Sequence, residues 1–225
     1  MSACAAQGNR SGILIANRAQ ATVEETRCVQ NSLDGIAFRG SAGGTARRNH
    51  CASNQQYGII VTDQAHPTLE HNRCEGNQRS GIAYFGEAGG EAASNTCHEN
   101  ERSGISLSEH ASPVLEDNDC RANALSGSAY FGSSAGSARQ NLYTLNQVFG
   151  IFVGERAGPT LDENACCENA QDGLRFDDEA SGAARHNDCA GNQHYGISVG
   201  VLASPQLDQN RCVGNRLCDM KDAQR

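Results

Sequence analysis

Two sets of side chains in this 225-residue sequence have types and spacings suited to chemistry. The first is acidic: Asp63, Glu109 and Glu155 recur every 46 residues, Asp178 follows 23 residues later, and Glu87 and Glu179 sit one place further on. Glycosidases need two carboxylates about 5 to 9.5 Å apart, a gap that residues one or two units apart in a stacked repeat would meet. Glu109, Glu155 and the Asp177-Asp178 pair are therefore the candidate catalytic groups of a polysaccharide lyase or glycoside hydrolase. The second set is aromatic and apolar. Phe85, Phe131, Phe152 and Ile60 fall among Ala83, Ser106, Ala129 and Gly154, with Arg39 and Arg175 beside them. Aromatic groups set among small residues on a flat sheet offer a shallow platform to a sugar ring, a peptide or another protein.

Cysteine and histidine point to no metal. The seven histidines (His50, His66, His71, His98, His110, His186, His194) are scattered over unrelated positions, and Cys166-Cys167 is adjacent, unlike the C-x-x-C spacing of a zinc site. No cofactor is implied either.

The elements that would position these groups follow from one period. Gly12, Gly35, Gly58, Gly81, Gly104, Gly127, Gly150, Gly173 and Gly196 are each 23 residues apart. Eight of the eleven cysteines form a second column from Cys28 to Cys212, broken only by Tyr143. Two asparagine columns flank it, Asn49 to Asn210 and Asn31 to Asn215. After each glycine apolar residues alternate with period two, as in Ile36/Phe38, Ile59/Val61 and Ile82/Tyr84, which predicts a half-buried strand rather than a helix. A small inward position recurs from Ala19 to Ala203. Each coil thus reads as three short strands separated by turns. A 46-residue period overlies this, because Pro67, Pro113, Pro159 and Pro205 alternate with Gly44, Gly90, Gly136 and Gly182. Core volume alternates in step: Val61 accompanies Leu69, whereas Phe38 accompanies Ala46, as a close-packed interior requires. On the surface, Glu24, Arg47 and Glu70, then Glu116, Arg139, Asp162, Arg185 and Asp208, place opposite charges on adjacent coils.

An unbroken repeat leaves no room for a linker, so residues 1–225 read as one domain: a partial first coil over 1–11, regular coils over 12–215 and a tail or cap over 216–225. Cys4 and Asn9 are out of register by one, and Leu217 and Met220 are expected to cover the last coil. Uncapped solenoid ends imply a fragment of a larger protein or an end-to-end oligomer. The net charge of −8 argues against a nucleic-acid partner, and no apolar run approaches a membrane span of about 20 residues. No charged leader and apolar stretch open the sequence, so no signal peptide is expected. In-register strands about 4.8 Å apart hold Cβ atoms further apart than the ~3.8 Å of a disulfide, which favours buried reduced thiols, compatible with the cytoplasm. The asparagines fall at turns, where stacked amides form structural ladders.

The unit N-x-C-x-x-N-x-x-x-G-I-x-V-x-x-x-A-x-P-x-L-E-x-N resembles the repeats of the right-handed parallel β-helix superfamily, from about Cys4 to Asn215. It is most similar to the regular repeats of carbohydrate-binding and sugar-hydrolysis (CASH-type) domains. The resemblance implies an all-β solenoid of about nine coils. It implies no single activity, since the superfamily includes pectate lyases, polygalacturonases, alginate epimerases, tailspikes and non-catalytic binding modules. The Asp-Pro-His-Asp motif of alginate epimerases and the Gly-His-Gly and Arg-Ile-Lys motifs of polygalacturonases are absent. With coils of uniform length and no long loops, the leading expectation is a non-catalytic module binding a polysaccharide or protein on the outer face of the first sheet through Phe85, Phe131, Phe152, Ile60, Arg39 and Arg175. A polysaccharide-active enzyme using the carboxylates, and a structural spacer or self-associating rod, are the alternatives. On the bland reading the carboxylates are a solvated face of a regular stack, and Phe85 and Phe131 pack on each other two coils apart.

Overall fold

A computed structural model describes residues 5–222 as a stack of parallel coils, with no helix among the described residues. Each repeat gives one strand to each of three sheets. Strands following the conserved glycine, from Ile13–Ile15 through Tyr195–Val199, build the first sheet. The Pro-x-Leu and Gly-x-Ala segments, from Gln20–Glu24 to Gln206–Asp208, build the second, and the cysteine segments, from Ala5–Gln7 to Arg211–Val213, build the third. Pairing runs from one residue to the residue 23 further on, as in Ile36 with Ile59, Ala46 with Leu69 and Cys74 with Cys97. The first coil is the exception: Ala6 pairs with Cys28, an offset of 22, which matches the shifted position of Asn9. Cys4 lies outside the described residues. At the other end, Cys218–Asp222 is not a polar tail but a tenth strand of the first sheet, and Leu217 and Met220 are 56% and 47% exposed rather than covering the coil beneath.

The inward columns form one continuous core. Ala42 to Ala203 of the small column are buried; Ala19, in the uncovered first coil, is exposed. The glycine column owes its identity to close approach. A Cβ on Gly12 or Gly35 would lie 2.5 Å from the carbonyl oxygen of the next glycine, a distance no side chain tolerates. The 46-residue period has a steric cause as well: Gly90 has φ +92°, open only to glycine, and a Cβ there would strike the Pro67 carbonyl of the preceding coil. Gly136 stands in the same relation to Pro113.

Both asparagine columns are ladders. Asn100 Nδ2 donates to Asn123 Oδ1 at 3.0 Å and to the Cys74 carbonyl at 3.1 Å, while its Oδ1 accepts from the Asn77 backbone and side-chain amides. The second ladder repeats this scheme, with Asn95 bonded to Asn118 and to the Leu69 carbonyl. These amides are buried, and each satisfies turn groups that water cannot reach. The cysteines stack in register as free thiols.

One place breaks the core pattern. Ser128 stands in the isoleucine column and Tyr143 in the cysteine column, and a Cβ on Gly127 would lie 2.6 Å from Tyr143 Cδ1. The tyrosine ring thus occupies space next to the short serine. Ser128→Ile and Tyr143→Cys are each expected to destabilise the fold by about 2 kcal/mol, through overpacking and cavity formation respectively. The double variant, which restores the usual pair, is expected to recover at least half of the summed loss in urea denaturation; strict additivity would show that the two positions do not share volume.

Candidate functional site

The outward face of the first sheet is a trough rather than a flat platform. Its floor is the column Ala37, Ile60, Ala83, Ser106, Ala129, Phe152, Arg175 and Ser198, in strand register. One wall is the residue preceding each conserved glycine, including Tyr57, Ser80, Ser103, Ser126 and Phe149, backed by Arg79, Arg102, Leu125 and Val148. The other is the residue just past each strand, including Phe85, Ser108 and Phe131. Between them lies a cavity of about 440 Å³.

Aromatic clusters bracket this cavity along the stack. At one end the Tyr57 and Phe85 rings meet edge to face, with centroids 5.7 Å apart, and Arg79 both covers Tyr57 and donates to its hydroxyl at 3.1 Å. At the other, Phe152 contacts Phe131 at 5.4 Å and Phe149 at 5.5 Å, the latter nearly parallel. Phe85 and Phe131 therefore do not form a ladder with each other; each is held by a different partner. Ser103, Ser106, Ser108 and Ser126 lie between the clusters. Phe131 is 37% exposed, so the second cluster presents ring surface to the cavity.

Ile60 departs from the expected platform. It points outward but is only 7% exposed, because Tyr57 and Phe85 close over it with Ala37 and Ala83. Arg39 and Arg175 lie at opposite ends of the trough and both are engaged. Arg39 sits 3.5 Å from Asp34. Arg175 donates to Asp177 at 2.9 Å and to Ser198 Oγ at 3.3 Å, and Ser198 in turn donates to the buried Asp172 at 2.5 Å.

The acidic column is placed outside the cavity lining and bonded to the backbone. Asp63 accepts from the Gly40 amide at 2.7 Å, Glu109 from Gly86 at 2.7 Å, Glu155 from Gly132 at 2.6 Å and Asp178 from Glu155 at 3.0 Å. These residues share one turn position with φ of +50° to +72°, in which a glycine alternates with a carboxylate that reaches back one coil to its amide. Asp177 is divided between Arg175 and the Asp178 amide. Among the described residues no group of three or more His, Cys, Asp or Glu side chains is arranged to hold a metal ion.

Tyr57, Phe149, Arg79 and Arg102 are site residues that strand alternation does not reveal, since they lie in the turn before the glycine. Their sequence signal is an aromatic directly preceding the glycine column, in Tyr57-Gly58 and Phe149-Gly150.

Asp34, in the same wall, is buried, with its side chain 1% exposed. Burial is the largest influence and pushes its pKa above 3.8, while the Tyr57 amide and Arg39 pull it down. A raised folded pKa contributes stability that is fully present below the unfolded value and is lost as pH rises through the folded one. Ionised Asp34 thus opposes folding at neutral pH. Relative to wild type, Asp34→Asn is expected to gain stability between pH 3.5 and pH 7 in urea midpoints; an unchanged difference across that interval would contradict the burial cost.

The chain resembles solved structures at low identity. A point variant of the periplasmic alginate epimerase AlgG superposes with a TM-score of 0.74 at 16% identity, covering 88% of this chain and 61% of that one. The A-module of the Azotobacter vinelandii mannuronan C-5 epimerase AlgE4 gives 0.71 at 13% identity, covering 97% and 76%. This chain thus spans about three fifths of the AlgG chain, and at such identity the likeness is one of fold. No curated protein sequence matches. The family model described as "Right handed beta helix region" matches residues 1–141 and 86–220. Both the stacked coils and this match, which runs over most of the sequence, show that the chain belongs to the right-handed β-helix family.

Proposed function

We propose that this β-helix is a non-catalytic saccharide-binding module whose site is the trough over the first sheet. The observation that carries the reading is the cavity between Tyr57/Phe85 and Phe131/Phe149/Phe152, floored by serines and lined by no carboxylate. Aromatic faces accept the C–H faces of sugar rings, and hydroxyls between them exchange hydrogen bonds with sugar hydroxyls, while the parallel coils keep both sets in fixed register. The solved relatives are epimerases of alginate and mannuronan, which makes a polysaccharide the first class of ligand to test. The candidate carboxylates favour the non-catalytic reading, since Glu109, Glu155 and Asp178 hold backbone amides outside the lining.

In calorimetric titration with oligosaccharides, Phe131→Ala and Phe152→Ala are each expected to weaken binding about tenfold, or ~1.4 kcal/mol. Glu109→Gln is expected to leave affinity unchanged. Turnover of any of these polysaccharides that is abolished by Glu109→Gln or Asp178→Asn would overturn the non-catalytic reading, and undiminished binding by both phenylalanine variants would move the site elsewhere.

A further inference from the structure

Charge is distributed unevenly along the trough. In a chain with 26 acidic and 18 basic residues, the only charged side chains lining the cavity are Arg79 and Arg102. Arg79 is occupied by the Tyr57 ring and hydroxyl. Arg102 is exposed at the lip over Ser103 and Ser106 and makes no ion pair among the described residues. Of the acidic residues near it in the chain, Glu101 is not part of the lining and Glu109 is bonded to the Gly86 amide. The charge reverses further along. Ser106, Ala129, Phe152 and Arg175 are successive register partners, so Arg175 lies three coils, or about 14 Å, beyond the Arg102 coil. There Asp172, Asp177 and Asp178 outnumber Arg175, with His194 3.9 Å from Asp172 as the other basic group. The phenylalanine cluster separates the two regions and is itself uncharged.

A ligand following this trough meets one unpaired cation, then neutral aromatic surface, then excess negative charge. The separation of about 14 Å exceeds the Debye length of about 8 Å at physiological salt, so the two regions act on different units of a chain-like ligand. We propose that the trough selects a saccharide with an isolated acidic unit, its anionic group on Arg102 and neutral units over Phe131 and Phe152, and discriminates against a uniformly anionic polymer. Attraction at one position and repulsion at another together set such specificity. The inference rests on the saccharide-binding reading above and adds the charge pattern of the ligand.

Pectin-derived oligogalacturonates at three degrees of methyl esterification test it with ring stereochemistry held constant, and hyaluronan oligosaccharides, in which a uronate alternates with a neutral N-acetyl sugar, provide a second arm. Half-esterified oligomers or hyaluronan oligosaccharides are expected to bind about tenfold more tightly than fully charged oligogalacturonate. Arg102→Gln is expected to abolish the preference for half-esterified over fully esterified oligomers, and Asp177→Asn to narrow the gap to the fully charged one. Phe131→Ala is expected to weaken all of them by a similar factor. If fully charged oligomers bind best, or the preference survives Arg102→Gln, the charge inference is overturned while saccharide binding stands. If none of the probes binds, both are overturned.

Discussion

Everything in this molecule depends on in-register stacking of parallel strands, in which each residue has as neighbours the residues one repeat before and after it. Buried asparagine amides hold that register, since a slip of a single residue would strand the Asn77, Asn100 and Asn123 side chains without the carbonyls and amides they satisfy. Parallel coils at a spacing of about 4.8 Å then force each column to solve its own packing problem. The glycine column leaves room for the next carbonyl, proline faces a positive-φ glycine, and a glycine amide receives a carboxylate from the following coil. Surface charge obeys the same rule, as Arg47 and Glu24 show at 2.9 Å.

The candidate site uses the lattice without departing from it. No insertion builds the trough; its walls are ordinary turn positions in which alanine, serine or glutamine gives way to tyrosine or phenylalanine. Because adjacent coils hold these positions in fixed register, replacing a few side chains is enough to create a preorganised aromatic cleft, with little ordering cost on binding. The core irregularity lies in the same coils: Ser128 and Tyr143 belong to the repeats that carry Phe131, Phe149 and Phe152.

Most of the fold was legible in the sequence because a column recurring every 23 residues records its environment nine times over. Strand positions, inward residues, volume exchange and both ladders follow from that redundancy. The site was less legible. Phe85, Phe131 and Phe152 stood out as outward aromatics, yet alternation within a strand says nothing of side chains that fold over the strand from a turn, so Tyr57 and Phe149 went unseen and Ile60 looked exposed. Nor does spacing show what a carboxylate bonds to: Glu109 and Glu155 have the periodicity of a catalytic pair, and only their contacts with Gly86 and Gly132 show a backbone role.

The most direct test of the central claim is an NMR measurement on protein with labelled phenylalanine rings, in the presence of a saturating oligosaccharide. Binding in the trough predicts intermolecular NOEs from sugar ring protons to Phe131 and Phe152, with Phe38 and Phe176, buried in the core, silent. NOEs absent from Phe131 and Phe152 while the saccharide is bound would contradict it.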